Sequence, residues 1–447
     1  MTPVYPFVPK SNAELAPGQF WSIPLSDGRF GCGRVLRIDR DRAYGARILF
    51  VGAVLDWVGE TPPTSEAIAG AEVLAVGTTH VRTIAHGGGT VLGIRPLAAD
   101  GITVPSVLNT HWGTAYPAER VERRFILGDP PATADFRQVA SPLTDDMLRP
   151  SLTGRGVVQF NSLLADRDFV RLSEWMSAYP EMTLRAYGSY DRTIRDLEFL
   201  RFFPSLRRFD ADALHSSITS IDGLRHLPVD LEELALGDTT PRHDLSIIGR
   251  FRDLRSLWVE GHKRGLEVIG QLTELERLSI RSITLPDLSL FLPLRSLQSL
   301  EIKLGGTTDL RLLPEIGAVR YLELWLIRGL DDIDAIGRMG SLRYVFLQAL
   351  KRVERLPDFG GAPNLHRIHL QTMKGLRDLS PVTTAPALED IVLIDMPQLG
   401  LDDLRPLLDV PSLRGVSLGL GSVRRNEAAA ALLGLPSASR TFDWRTA

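Results

Sequence analysis

Ten short segments in the second half of the chain share one pattern, an apolar residue at offsets 0, 3 and 5. They begin at Leu206, Leu231, Leu254, Leu275, Leu297, Val319, Leu342, Leu365, Leu388 and Leu413, at intervals of 25, 23, 21, 22, 22, 23, 23, 23 and 25 residues. The first, with Leu206, Phe209 and Ala211, is degenerate. A period this narrow leaves room for one short strand and one return segment per repeat. A single unit cannot bury its own apolar side, so successive units must stack. Each hit is therefore expected to be a strand whose pattern residues point inward, with parallel neighbours about 4.8 Å apart. The return segments carry a second apolar set, such as Leu266, Ile269, Leu272 and Leu404, Leu407, Leu408. They are expected to close each coil with a helical turn or an extended stretch.

The pattern resembles that of the leucine-rich repeat proteins, which implies a solenoid with a parallel concave sheet. One feature departs from that family. Three residues after the last strand leucine it usually carries Asn or Cys, whereas these positions hold Thr239, His262, Ile283, Gly305, Ile327, Leu350, Met373, Met396 and Gly421. The turn is expected to be packed with apolar side chains rather than hydrogen-bonded. Open solenoid ends expose core and need caps. Residues 156–160 and 182–187 read as strands, and 166–179 and 194–203 as helices, Phe169, Leu172, Trp175 and Met176 marking one face of the first. At the far end residues 426–433 read as a cap helix with Asn426 as its N-cap.

The first 125 residues have a period of two. Residues 19–25, 29–39, 48–55, 73–76 and 91–94 read as strands, with Pro24 suiting a sheet edge and Ser26-Asp27-Gly28 a turn. The stretch Pro17-Gly18-Gln19-Phe20-Trp21-Ser22-Ile23-Pro24-Leu25, the turn, and Gly31-Cys32-Gly33-Arg34-Val35 resemble the start of the immunity protein 26 family. Gln19 stands where that family more often has Asp. The resemblance covers roughly residues 10–125. It implies a bacterial antidote that binds and blocks a cognate toxin. The resulting fold class is a two-domain chain. A small mainly-β (α+β) domain spans 1–128, and a linker around Asp129-Pro130-Pro131-Ala132-Thr133 spans 129–152. The α/β leucine-rich repeat solenoid follows, with its cap and irregular repeats in 153–205 and regular repeats plus C-terminal cap helix in 206–447.

The 447 residues carry 51 Lys+Arg against 54 Asp+Glu, a net charge of -3. Phosphate binding needs a basic surplus, so this balance argues against a nucleic-acid partner. Cys32 is the lone cysteine, which excludes an internal disulfide and fits a reducing compartment. Apolar runs such as 48–55 are too short to span a membrane, and the proline-broken start does not read as a secretion signal. The expectation is a cytoplasmic protein. The nine histidines are dispersed, and His366 and His369, three apart on a strand, point to opposite faces. No metal or cofactor is expected. His86-Gly87-Gly88-Gly89 matches the oxyanion glycine run of some esterases, but no Gly-x-Ser-x-Gly elbow accompanies it. A turn is the favoured reading. An α/β-hydrolase-like enzyme around His86 to Gly89 stands as the alternative, and a general scaffold or adaptor as a third reading. No catalytic residue is assigned.

The outward strand positions are expected to line up in columns across the concave sheet. One holds Glu233, Ser256, Arg277, Ser299, Tyr321, Tyr344, Arg367 and Asp390. The next holds Ala235, Trp258, Ser279, Glu301, Glu323, Phe346, His369 and Val392. The third holds Glu260, Arg281, Lys303, Trp325, Gln348, Gln371 and Ile394. Tyr321, Trp325, Tyr344 and Phe346 thus fall on two neighbouring strands, flanked by Arg343, Arg367 and His369, with Trp258 further along. Exposed aromatics edged by arginine have the composition of a protein-binding hot spot. The expected function is a non-enzymatic protein binder whose concave face docks a protein partner, with Trp21 and Phe30 of the β domain as a second contact.

Overall fold

The computed structural model describes residues 4–38, 47–85, 87–102, 112–125, 135–148, 150–151, 154–188, 192–213, 217–438 and 442–445. The chain divides into two compact units, Met1–Thr133 with Ser439–Asp443, and Ala134–Ala438 with Trp444–Ala447.

The first unit is built on a five-stranded antiparallel sheet. Its strands are β1 (Gln19–Pro24), β2 (Phe30–Arg37), β3 (Leu49–Gly59), β4 (Val73–His80) and β5 (Val91–Ile94), in the order β4-β3-β2-β1-β5. A one-turn helix α1 (Arg82–Ala85) and a longer α2 (Tyr116–Phe125) complete it. The sheet's faces bury separate cores. Trp21, Val35, Phe50, Val54 and Leu74 pack with Ala118 and Val121 of α2 on one, and Phe20, Cys32, Leu55 and Ile68 form another cluster. Strand β1 is interior rather than an edge. Pro24 is tolerated because β5 pairs only with Gln19 to Trp21, so no ladder bond is asked of residue 24 on that side. The Ser26-Asp27-Gly28 turn forms, with Gly28 at φ +86° and its N–H donating to the Leu25 carbonyl. Burial pushes the Cys32 thiol well above its ordinary pKa, which leaves it a small inert core residue.

The second unit is one continuous parallel sheet. Its thirteen strands among the described residues follow in sequence order. They are β6 (Asp135–Val139), β7 (Arg155–Phe160), β8 (Glu181–Ala186), β9 (Arg208–Ala211), β10 (Glu233–Leu236), β11 (Ser256–Glu260) and β12 (Arg277–Arg281), then β13 (Ser299–Lys303), β14 (Tyr321–Trp325), β15 (Tyr344–Gln348), β16 (Arg367–Gln371), β17 (Asp390–Ile394) and β18 (Gly415–Leu418). One hydrophobic cluster runs unbroken from Val139 to Leu433 beneath it. Most return segments from β8 onward close on a short 3-10 turn, such as Leu245–Arg250 or Asp334–Arg338.

Two backbone devices replace the missing asparagine ladder. Directly after each strand from β11 to β17 comes a left-handed residue: Gly261, Ser282, Leu304, Leu326, Ala349, Thr372 and Asp395, with φ between 50° and 76°. The first six donate their N–H to the last strand residue of the next coil, at 2.8–2.9 Å. This adds one rung to the ladder and turns the chain inward, where His262, Ile283, Ile327, Leu350, Met373 and Met396 are buried. On the return side, Asp196, Asp244, Asp287, Asp309, Asp332 and Asp378 each accept from the N–H two residues on, at 2.8–3.1 Å. The polar ladder exists, but at another point of the repeat.

Three expectations need correction. Residues 135–139, assigned to the linker, form β6, and Val139 and Leu143 belong to the solenoid core; Asp129 to Thr133 lie outside the described residues. Residues 194–203 are not an α-helix; only Glu198–Phe202 coils, as a 3-10 turn, because the repeat period leaves no length for more. The cap helix, α4 after α3 (Asp166–Ser177), runs Val423–Leu433 and is capped by Ser422, whose hydroxyl accepts from the Arg425 N–H. Asn426 sits inside its first turn and accepts from the Leu420 N–H instead.

Candidate functional site

Parallel strands in register bring residues one repeat apart side by side. Tyr321 pairs with Tyr344 and Tyr344 with Arg367; Glu323 pairs with Phe346 and Phe346 with His369; Lys303 pairs with Trp325 and Trp325 with Gln348. The three columns expected from the repeat arithmetic are the three columns of the sheet's outer face.

Rings meet edge and face across these columns. Tyr321 and Tyr344 form a T-shaped pair at 5.1 Å, and Phe346 stacks on His369 at 4.1 Å. The Arg281 guanidinium lies over Trp325 at 5.1 Å, and that of Arg367 over Tyr344 at 5.5 Å. Such contacts hold large rings in single orientations. The Tyr344 hydroxyl and Nδ1 of His369 share a hydrogen bond of 3.2 Å. Burial, with Arg367 beside it, pushes His369 down to about 4, so the imidazole is neutral at physiological pH. The Tyr321 hydroxyl donates to Glu323 at 2.9 Å. Its burial, reinforced by the Glu323 charge, drives its pKa upward and keeps the phenol protonated.

The charges on this face pair with one another. Lys303 bridges Glu301 at 2.8 Å and Glu323 at 3.1 Å; Arg277 meets Glu233 at 2.9 Å, Arg281 meets Glu260 at 3.0 Å, and Arg367 meets Asp390 at 3.4 Å. Desolvation works against the Lys303 ammonium, but its two glutamates outweigh it and raise its pKa.

The candidate residues separate on this geometry. Tyr321, Trp325, Tyr344, Phe346 and His369 come together, all half-buried. Arg343 stands at the margin of β15. Arg367 is buried, 7% exposed, and acts as a prop beneath Tyr344 rather than a contact at the rim. Trp258 is half-buried in its column but separated from the band by β12 and β13. Trp21 is a correction: at 1% exposure it is core. Its ring fills the space over Gly33, where any Cβ would collide with it, so it offers nothing to a partner. Phe30 is half-buried at the start of β2. In the motif Gly31 to Val35, Arg34 is likewise fully buried and bound to Asp100 at 2.9 Å.

The second unit is a leucine-rich repeat solenoid. No protein-family model matches the chain, and no curated protein matches it. Among solved structures the chain is similar to an internalin from Listeria monocytogenes, 17% identical, covering 64% of this chain and 78% of that one at a TM-score of 0.43. It is also similar to a leucine-rich repeat protein of Leptospira interrogans, 16% identical, covering 59% of this chain and 91% of that one at 0.32.

The glycine run of the first unit is a turn. Gly89 donates its N–H to the Ile84 carbonyl at 2.9 Å and Gly88 to that of Ala85 at 3.3 Å, so neither is presented to an oxyanion. His86 lies outside the described residues. Among the described residues no three His, Cys, Asp or Glu side chains gather as a metal-binding group. No described helix is long and apolar enough to cross a membrane.

The repeat reading missed what lies on the band. Trp444, beyond the cap helix, stacks on Tyr321 with ring centroids 5.9 Å apart and planes 25° apart. Arg343 donates to the Trp444 and Arg445 carbonyls at 3.4 and 3.3 Å, and Arg320 to that of Arg445 at 3.5 Å. The signal was available: Phe442 and Trp444 are two large aromatics among otherwise small and polar residues in 437–447.

Proposed function

We propose that the chain is a non-enzymatic protein-binding molecule whose concave solenoid face docks a protein partner. The observation that carries this reading is the aromatic band of Tyr321, Trp325, Tyr344 and Phe346 on adjacent strands. Its rings are held in place by one another and by Arg281 and Arg367. Because the surrounding charges already have partners within the face, a protein covering it gains aromatic burial without stranding a charge. The resemblance of residues 10–125 to the immunity protein 26 family supports a finer reading, a bacterial cytoplasmic antidote that occludes a cognate toxin.

The test is binding by calorimetry to the product of a toxin gene neighbouring this one, with Trp325→Ala and Phe346→Ala variants. Each variant is expected to weaken binding by about 30-fold, the effect of a hot spot of about 2 kcal/mol. Full-strength binding by both variants refutes the concave-face reading. Binding without protection of cells from the toxin refutes immunity and leaves a scaffold.

A further inference from the structure

The margin of the aromatic band carries a repeated pair. Arg320 precedes Tyr321 on β14, and Arg343 precedes Tyr344 on β15. In-register pairing sets the two pairs side by side. The tyrosines form a right-angled aromatic corner, 81° between planes. Beside it the arginines present guanidiniums that can hold backbone carbonyls. Both halves are occupied at once by the same short segment. The indole of Trp444 stacks on the Tyr321 ring of that corner, and the carbonyls of Trp444 and Arg445 take the guanidiniums. The Arg445 guanidinium folds back over the Trp444 ring at 5.4 Å.

This docking is loose. Its hydrogen bonds are 3.3–3.5 Å long, at the weak end of the range, and Trp444 keeps part of its surface in solvent. A segment held this way exchanges with any chain that offers the same groups. The tether raises its local concentration to about the millimolar level, so it fills the corner without needing high affinity.

We propose that Arg320, Tyr321, Arg343 and Tyr344 form a clamp for an extended peptide carrying a tryptophan, and that Trp444 is a built-in occupant which such a peptide must displace. The clamp reads one large aromatic side chain in the tyrosine corner and two successive backbone carbonyls on the arginines. The sequence-independent carbonyl contacts position the peptide, while the corner selects tryptophan for its area and its planar face. This rests on the reading of the concave face as a protein-docking surface and specifies what the partner presents there.

The experiment needs no natural partner. A synthetic peptide of residues 437–447 is titrated into the full-length chain and into its Trp444→Ala variant, with binding followed by fluorescence anisotropy of a label on the peptide. The variant is expected to bind the peptide about tenfold more tightly than the parent. That is the ratio of a millimolar effective concentration to an intrinsic affinity of about 100 µM. A peptide with alanine in place of its tryptophan is expected to bind neither protein. Adding Tyr321→Ala or Arg343→Ala to the Trp444→Ala variant is expected to abolish binding, with circular dichroism confirming that the solenoid remains folded. Equal binding to parent and variant overturns the occupant, and no binding to the variant overturns the clamp. Either result leaves the Trp325 and Phe346 contacts to be judged by their own variants, so failure of the clamp is distinguishable from failure of the docking face.

Discussion

Asp210 is expected to make the solenoid less stable as pH rises from about 4 to about 7, and Asp210→Asn is expected to remove that loss. The residue stands in the second column of the concave face, between Arg185 on β8 and Ala235 on β10. Burial is the largest force on its carboxyl, and the Asp212 charge adds to it. Arg185 opposes both but is already bound to Asp212 through two hydrogen bonds of 2.7 and 2.8 Å. The pKa is raised from 3.8 to about 7. Between those values the folded chain holds a proton that the unfolded chain has released, so the slope of stability with pH is negative there. A rise of that size corresponds to about 4 kcal/mol at 1.36 kcal/mol per pH unit. Because the face is open to solvent, about half of that, ~2 kcal/mol, is the expected effect.

Burial lowers the pKa of His243, His262 and His369. Those groups give the opposite slope below pH 6.5, so they oppose Asp210 in the wild-type profile and only the difference between proteins isolates it. Urea unfolding followed by circular dichroism at several pH values from 4 to 8 supplies that difference. Asp210→Asn is expected to match the parent near pH 4 and to exceed it by ~2 kcal/mol at pH 8. A difference that does not change with pH, or that grows toward acid, refutes the reasoning.

Two further changes test the fold's own devices. Ala349→Gly relieves a left-handed residue, which costs a non-glycine about 1–2 kcal/mol, against about 0.5–1 kcal/mol for the freer unfolded chain. It is expected to raise the urea midpoint slightly, whereas Ala235→Gly, the same change within β10, is expected to lower stability by about 0.5–1 kcal/mol; equal destabilisation by both refutes the turn argument. In the first unit, Asp100 takes hydrogen bonds from Arg34, Arg95 and the Gly70 N–H at 2.9–3.0 Å. Burial opposes its charge, but these donors outweigh burial and hold its pKa below the ordinary value. Asp100→Asn leaves Arg34 buried without a counter-charge and is expected to cost about 3–5 kcal/mol. Thermal unfolding read by near-ultraviolet circular dichroism, with Trp21→Phe as the reference that identifies the first unit's transition, checks this, and an unchanged transition refutes it.

The fold was legible where the period was regular. From β10 to β18 the leucine spacing predicts both the strands and the columns, because a parallel, in-register sheet turns an interval of about 23 residues into a sideways step of one strand. It failed where no period helps. Strand β6 carries only Val139 as an inward anchor, while Phe136 is 41% exposed, so alternation over five residues looked like linker. Helix α2 shows as Tyr116–Phe125 through its packing of Ala118 and Val121 against the sheet, a demand set by partners distant in sequence. The left-handed turn residues were hidden because they are Ser, Leu, Ala, Thr and Asp as readily as Gly. Their conformation is imposed by the ladder bond to the next coil and not by their own preference.

The candidate site divides along the same line. Tyr321 and Tyr344 are adjacent because repetition makes them so, and periodicity alone finds them. Trp21 was misjudged because an aromatic in an alternating strand can face either way, and only Gly33 and Gly52, which leave its ring room, decide that it faces inward. Trp444 lies outside the repeats altogether. Its place over Tyr321 depends on where a tail crosses back over coils laid down some 120 residues earlier, with contact through Arg343. A repeat pattern therefore specifies the surface of a solenoid and the spacing of its binding groups, but not what covers them. On this chain the covering segment is itself the best description of what the surface accepts: an indole in the tyrosine corner and carbonyls against two arginines.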